Sequence, residues 1–479
     1  MRSVTLILVL ISQLCFGQSK EKGEIIISGS FDSQYLRSFK ESPEIWYYDQ
    51  YDAGLENIAK KIPLNIINGK FSTRISPKNK IGYFLFKAEF DRGPAYLFSL
   101  FIIEKGDNIN IHIQNGQQIS FNGKGSEKLN FLNYFAKLNS SSLNRYKIGD
   151  SKRIDYCRDE LKTKLISAFD SLDKFKSKIS DTVYNLIRIN VASEIYSNYI
   201  LNIASGSYSA DSTYLKNLCF ELSNLNLQQI AFTLNNRFII NNSSSYIFYL
   251  YRLNLTRLAV AKGDNRKRPP IESVFSDITT GYSGLVRDKL LINFVQDYMR
   301  NPDITKYAIN ALSIIEEPRL KTLLSQILSS KSQGAKAFDF VLTNTEGKLV
   351  RLNDFRGKVI VIDTWFNGCT GCIHLADRLK PIEAYYKDKN VVFLSVNVDK
   401  DKKRFIEGVK SNLYGAKESI YLYTNGMGQN HPMILHYKYR GYPNLLIIDK
   451  MGQIISSNPP FPTNKEKIDE FKNLINSNL

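Results

Sequence analysis

The sequence predicts a multidomain protein: an N-terminal β-sandwich, a central all-α region and a C-terminal α/β domain. Three observations carry that expectation. Short apolar runs separated by Gly and Asp fill residues 18–127, apolar residues recur at three- and four-residue intervals over 128–330, and strand-like runs alternate with helical ones over 337–479. A length of 479 residues is ample for three such parts.

Residues 1–17 have the pattern of a secretion signal. Arg2 supplies the positive end, Val4 to Leu14 the apolar stretch, and Gly17 a small residue before Gln18, so cleavage after Gly17 is expected. This stretch is shorter than the roughly 20 residues that cross a bilayer, and no later one is long enough. The mature chain is therefore expected in the periplasm or cell envelope without a membrane span. Cys15 raises a lipid-anchor alternative, which Leu14 and Gln13 disfavour because they stand where such a signal carries small residues.

The formal charge of +18 invites a nucleic-acid partner, yet Lys and Arg are interleaved with Asp and Glu and form no stripe. The one short cluster, Arg266-Lys267-Arg268 before Pro269-Pro270, reads as a solvated turn. Together with export, this argues against nucleic acid.

Within 18–127 the strand candidates are Glu24 to Gly29, Gly82 to Phe86 and Ala95 to Ile103. After a turn at Glu104-Lys105-Gly106-Asp107, Ile109, Ile111 and Ile113 alternate with Asn110 and His112, so His112 faces the solvated side of a strand. Over 128–330, Leu161, Leu165, Ala168 and Phe169, then Leu290, Leu291, Phe294, Val295 and Tyr298, have helical spacing. The aromatic residues there read as core, and no catalytic constellation stands out. Residues 331–336 have linker composition. The last domain then reads as strands at Phe340–Leu342, Lys358–Trp365, Val391–Asn397, Asn444–Ile448 and Gln453–Ser456, with helices from Cys369 to Lys387, Lys402 to Val409 and Asn464 to Ile475. That order implies a mixed sheet covered by helices.

The chemistry concentrates at Trp365-Phe366-Asn367-Gly368-Cys369-Thr370-Gly371-Cys372, directly after the apolar run Val359 to Ile362. A cysteine where a strand ends and a helix begins faces unpaired N–H groups and the positive helix end, which favours its thiolate. Cys369 is the expected nucleophile, and Cys372, one turn on, the resolving thiol. A structural zinc site needs a second ligand pair, which is missing, since Cys157 and Cys219 stand alone. Haem attachment needs His directly after the second cysteine, where Ile373 intervenes before His374. A purely structural disulfide would close too short a loop to stabilise much.

Asp363 interrupts the apolar strand. Buried, it would have a raised pKa and could take the proton of Cys372; hydrated at a strand end, it would do neither. Pro443 in Gly441-Tyr442-Pro443-Asn444 is either a strand-edge device or a cis proline that exposes the Tyr442 backbone to substrate. His374 is expected to point away from the sulfurs; His431 and His436, ahead of the proline loop, could approach the site, with a surface role preferred.

Taken together, Trp365, Cys369-Thr370-Gly371-Cys372, Val396-Asn397-Val398-Asp399, Gly441-Tyr442-Pro443 and Ile448-Asp449 with Gly452 resemble the thioredoxin fold, specifically the TlpA/ResA-like exported thiol–disulfide oxidoreductases, over about Ala335 to Leu479. The resemblance implies a C-terminal thioredoxin-like domain in which Pro443 is cis beside the dithiol and Asp363 is the buried aspartate. Trp365, Tyr442 and Pro443 would contact substrate, and no cofactor is required. The region around Phe101 to Asp107 resembles, less specifically, the small β domain found ahead of such modules. Gly368 stands where the family usually has a second Trp, and Leu375 replaces a frequent glutamate. The expected function is exchange of disulfides with cysteine-containing envelope proteins, with an unidentified redox partner and the reductant direction preferred; the oligomeric state is open. The rivals are a thiol peroxidase, which wants an arginine near the cysteine, and a binding or scaffold protein whose dithiol is not essential.

Overall fold

The computed structural model describes residues 23–31, 42–51, 59–87, 100–114, 118–139, 152–205, 212–225, 237–262, 268–299, 301, 303–416, 419–439 and 441–479. The expected secretion signal lies outside them, as do Arg266 and Lys267. The chain divides into two compact units, Met1–Pro270 and Ile271–Leu479.

The first unit begins with β1 (Ile25–Phe31), β2 (Glu44–Tyr48), β3 (Lys60–Pro63), β4 (Lys70–Ile75), β5 (Ile81–Lys87), β6 (Phe101–Glu104), β7 (Asn108–Gln114) and β8 (Gln118–Lys124). Among the described residues these form two sheets, ordered β4-β1-β7-β8 and β3-β2-β5-β6. The inward residues of both sheets, among them Ile25, Ile27, Ile45, Phe84, Phe86, Ile109, Ile111 and Phe121, share one core. The alternation in β7 holds: Ile109, Ile111 and Ile113 are buried, while half-buried His112 places Nδ1 2.7 Å from Ser30 Oγ. Leu129 from the following helix α1 (Ser126–Asn139) closes one side of this core. Beside it, buried Lys128 pairs with Asp107 at 2.7 Å and Glu104 at 3.4 Å. Helices α2 (Arg153–Asp173), α3 (Asp181–Ser205), α4 (Ser212–Asn224), α5 (Arg237–Asn242) and α6 (Ser244–Ala261) complete the unit. Cys157 is buried in α2, where desolvation raises its thiol pKa to about 11, so it is no candidate nucleophile.

The second unit starts with α7 (Ile271–Gly281), α8 (Gly284–Asp297), α9 (Ile304–Ile314) and α10 (Pro318–Ser329). The stretch read as a linker does not hang free, since Gly334 N donates to Ile454 O and Ser457 Oγ to Lys331 O. Then follow β9 (Val341–Asn344), β10 (Leu349–Arg351), β11 (Val359–Trp365), α11 (Thr370–Tyr386), β12 (Val391–Asn397), α12 (Lys402–Lys410), β13 (Ile420–Tyr423), α13 (Pro432–His436), β14 (Asn444–Ile448), β15 (Ile454–Ser456) and α14 (Lys465–Asn476). Among the described residues the sheet is seven-stranded, ordered β10-β9-β13-β12-β11-β14-β15. It is mixed, as expected: β11 is parallel to β12 and antiparallel to β14.

Alternate residues of β11 feed two cores. Ile360 and Ile362 pack with Leu394, Leu446 and Met433, whereas Val359 and Val361 pack beneath α11 and α14 against Leu375, Ile382 and Phe471. Asp449 Oδ1 accepts the N–H groups of Met451 and Gln453, each at 2.8 Å, which shapes the turn into β15. No described helix is long and apolar enough to cross a membrane.

Candidate active site

β11 delivers the chain to the carboxyl end of the sheet at Trp365, and α11 begins at Thr370. Cys369 is the N-cap of that helix: its backbone is extended, and its Sγ accepts the N–H of Cys372 at 3.1 Å. This is the geometry that stabilises a thiolate, with one backbone donor and the positive end of the helix aimed at the sulfur. Cys369 and Cys372 are joined in a disulfide with S–S 2.06 Å, and Cys372 Sγ lies 4.0 Å from Thr364 O. Cys369 retains 6% exposure and Cys372 3%.

Asp363 stands next to Thr364 in β11 and accepts a 3.2 Å hydrogen bond from Ser395 Oγ, its register partner on β12. Part of the residue's surface reaches solvent, yet neighbouring atoms enclose it closely enough that desolvation drives its pKa well above the usual carboxylate range. The Ser395 bond opposes that rise, and the charge of Glu383 adds to it. Glu383, buried on α11, accepts from Ser419 Oγ at 2.8 and 2.9 Å.

The Tyr442–Pro443 peptide is cis. Pro443 lies against the dithiol turn, since a Cβ on Gly371 would stand 3.4 Å from Pro443 Cδ. Asn444 ties this loop to β11: its N and Nδ2 each donate to Thr364 Oγ1 at 3.1 Å, and Nδ2 also donates to Gly441 O at 2.7 Å. The half-buried Tyr442 ring meets Phe366 edge-on, with centroids 5.9 Å apart.

Trp365 requires a correction. The sequence reading groups it with the substrate contacts, but the ring is fully buried at 0% exposure and cannot touch a substrate here. It lies behind the site, stacked on Tyr414 at 4.4 Å and flanked by Phe405 and Tyr421. Gly408 lets α12 approach this ring; a Cβ there would fall 2.6 Å from Trp365 Cζ3. Gly408→Ala is therefore expected to force α12 off a ring that Tyr414 pins. The cost is about 1–3 kcal/mol, read as a lower denaturation midpoint.

The segment entering Cys369 is held by residues that motif reading did not assign. Asn367 N donates to Asp399 Oδ2 at 2.7 Å, Asn397 Nδ2 to the same oxygen at 2.9 Å, and Gly368 N to Tyr414 Oη at 2.6 Å. Arg404 donates to Asn367 O at 2.6 Å and pairs with Asp399 at 3.5 Å. A guanidinium distant in sequence thus reaches the loop before Cys369, engaged by a carbonyl and a carboxylate. The signal for this clamp was the polar pair Asn397-x-Asp399 at the end of an apolar strand. Gly368 has φ +100°, a conformation that strains any residue with a Cβ. Gly368→Ala is expected to cost about 1–2 kcal/mol, measurable by thermal unfolding.

The structure leaves His374 exposed on α11. His431, expected at the surface, is instead buried and caps α13, with Nδ1 accepting from Met433 N at 3.3 Å. Desolvation lowers its pKa. Leu375 is buried in the core beneath α11.

The C-terminal part of the chain is similar to known proteins. A family model described as thioredoxin-like matches residues 357–454. The thiol-disulfide oxidoreductase ResA of Bacillus thuringiensis subsp. konkukian is 28% identical over 138 residues, which are 29% of this chain and 75% of that protein. ResA of Halalkalibacterium halodurans is 24% identical over 173 residues, 35% of this chain and 92% of that one. Among solved structures, the thioredoxin domain of a thiol-disulfide oxidoreductase from Bacteroides vulgatus is similar at 19% identity and a TM-score of 0.27, over 31% of this chain and 99% of that one. The strand–turn–helix that carries Cys369 and Cys372 thus falls inside the matched segment, and the C-terminal part of the chain is a thioredoxin-like domain with thiol–disulfide oxidoreductase activity.

Proposed function

We propose that this is an exported reductant of protein disulfides, acting on cysteine-containing proteins of the cell envelope. The observation that carries the reading is Cys369 at the N-cap of α11 with Cys372 Sγ one turn behind it. In the reduced enzyme the Cys369 thiolate attacks one sulfur of a substrate disulfide. That S–S bond breaks, an enzyme–substrate disulfide forms, and the first substrate sulfur leaves as thiolate and takes a proton. Cys372 then gives its proton to the Asp363 carboxylate and attacks Cys369 Sγ, releasing the second substrate sulfur. The enzyme is left as the disulfide and the substrate has gained two electrons, which an external thiol donor must restore. The backbone of Tyr442, beside Pro443, holds the substrate segment.

The direction of electron flow is set by the stability of the reduced dithiol, since strong oxidants of this fold owe their potential to a heavily stabilised reduced form. Export rests on the character of residues 1–17. Two measurements test the proposal. The purified chain with dithiothreitol should reduce insulin disulfides faster than dithiothreitol alone. Expressed with its own first residues in a bacterial host, the protein should begin at Gln18. No acceleration over dithiothreitol overturns the reductase, and retention of Met1 to Gly17 overturns export by cleavage.

A further inference from the structure

Glu383 is a buried acid that the mechanism above does not use. It lies on α11, the helix that carries Cys372, and is 7% exposed. Ser419 Oγ donates to its carboxylate at 2.8 and 2.9 Å, and that hydroxyl in turn accepts the N–H of Ala416 at 3.0 Å. The Ser419 proton is thereby committed to Glu383, an arrangement that suits an ionised acceptor.

The same short segment, between α12 and β13, holds the partner of Asp363. Ser395 Oγ, which bonds Asp363, also lies 3.2 Å from Tyr414 O. The hydroxyl has one proton to give, so a protonated Asp363 can donate to Ser395 Oγ and leave that proton to Tyr414 O. Tyr421, the register partner of Ser395 on β13, donates to Ala416 O at 3.1 Å. Gly415 makes room for this cluster, since a Cβ there would fall 2.8 Å from Tyr421 Oη and 3.1 Å from Ser419 Oγ. Tyr414, Gly415 and Ala416 thus connect the Asp363–Ser395 pair to the Glu383–Ser419 pair. Among the described residues, the titratable neighbours of Asp363 in this cluster are Glu383 on α11 and Tyr421 on β13, while β12 offers the neutral Ser395 and β14 the apolar Leu445. Burial first, and then the two carboxylates, raise the Tyr421 phenol, which stays a neutral donor at neutral pH.

We infer that Glu383 is a positioning residue for the resolving step: its carboxylate, fixed by Ser419 across the Ser395–Tyr421 cluster, keeps Asp363 a strong enough base to take the proton of Cys372. The inference rests on the reading of Asp363 as that base. A carboxylate near its usual pKa of about 4 is a poor base toward a thiol near 8.5, and a fixed negative neighbour narrows the mismatch. In the step served, the Cys372 proton passes to Asp363, the Cys372–Cys369 bond forms, and the bond from Cys369 to the substrate sulfur breaks, the electron pair leaving with that sulfur as thiolate. Glu383 itself exchanges no proton with the sulfurs.

Stopped-flow reaction of the reduced mature chain with dithiobis(nitrobenzoic acid) separates the steps, because attack by Cys369 releases one thionitrobenzoate and attack by Cys372 the second. In wild type the second phase should gain rate as pH rises through the titration of Asp363, an inflection absent from Asp363→Asn. Glu383→Gln should move that inflection down by about one pH unit, the lower end of what a nearby charge does. Glu383→Asp, which keeps the charge, should restore most of it, and in the Asp363→Asn background Glu383→Gln should leave the second phase unchanged. Thermal unfolding shows which variants are intact, with Glu383→Met as a second neutral variant should the amide fail to fold. An inflection that stays at the wild-type pH in a folded neutral variant, or an equal shift of the profile without Asp363, overturns the inference and leaves Asp363 as the base. Identical profiles in wild type and Asp363→Asn overturn the base reading and this inference together.

Discussion

Cys369→Ser is expected to remove disulfide-reducing turnover by roughly 10⁴-fold or more, the scale on which loss of an enzymatic nucleophile is felt. The hydroxyl that replaces the thiol stays protonated at neutral pH, and neither the Cys372 N–H nor the helix dipole can ionise it. Cys372→Ser should fail differently. Cys369 still attacks, but nothing resolves the adduct, so one equivalent of substrate is captured as a mixed disulfide detectable by intact mass, and turnover then stops. The pair discriminates the roles: if Cys369→Ser trapped substrate and Cys372→Ser did not, the assignment of nucleophile and resolving thiol would be reversed.

Asp363→Asn is expected to slow resolution of that mixed disulfide by about 10²-fold at neutral pH, at the lower end of what a positioned base contributes. The amide keeps a partner for Ser395 Oγ yet cannot accept the proton of Cys372. Stability should move the other way. Burial raises the Asp363 pKa in the folded protein above its unfolded value, so between those two values the folded state holds a proton that the unfolded state has lost. Stability then falls as pH rises through that window, by about 1.4 kcal/mol per pH unit. Below the unfolded pKa the group is neutral in both states and exerts no penalty. Asp363→Asn removes this dependence, so the variant should be more stable than wild type at pH 7 and lose the advantage toward pH 4. Urea midpoints across that range check it; a variant less stable than wild type at pH 7 would mean that the carboxylate is stabilised in the fold.

The redox core was legible because each part has a local signal. The apolar run of β11 gives way to Gly368 and a helical pattern, which places the dithiol at the sheet's carboxyl end; the limits of β12 and β14 follow from equally clear runs. Long-range pairings had no such signal. β10 is three residues long, and β13, Ile420–Tyr423, has a single partly buried residue followed by three buried ones, with no alternation to mark it. Trp365 was misjudged for the same reason. Strand parity puts it on the face of Val361 and Asp363, but the lid of Tyr414 and Gly408 comes from chain more than forty residues away. The clamp of Asp399 and Arg404 on the loop before Cys369 is likewise assembled only by the fold.

The proposed role of Cys369 and Cys372 as a reversible, reducing dithiol is tested most directly by equilibrating the mature chain with dithiothreitol or glutathione buffers and counting free thiols. A two-electron couple near the roughly −270 mV of thioredoxin, lost in Cys369→Ser, is the expected result. A potential near the roughly −120 mV of a strong oxidant, or a disulfide that fails to form reversibly, would contradict it.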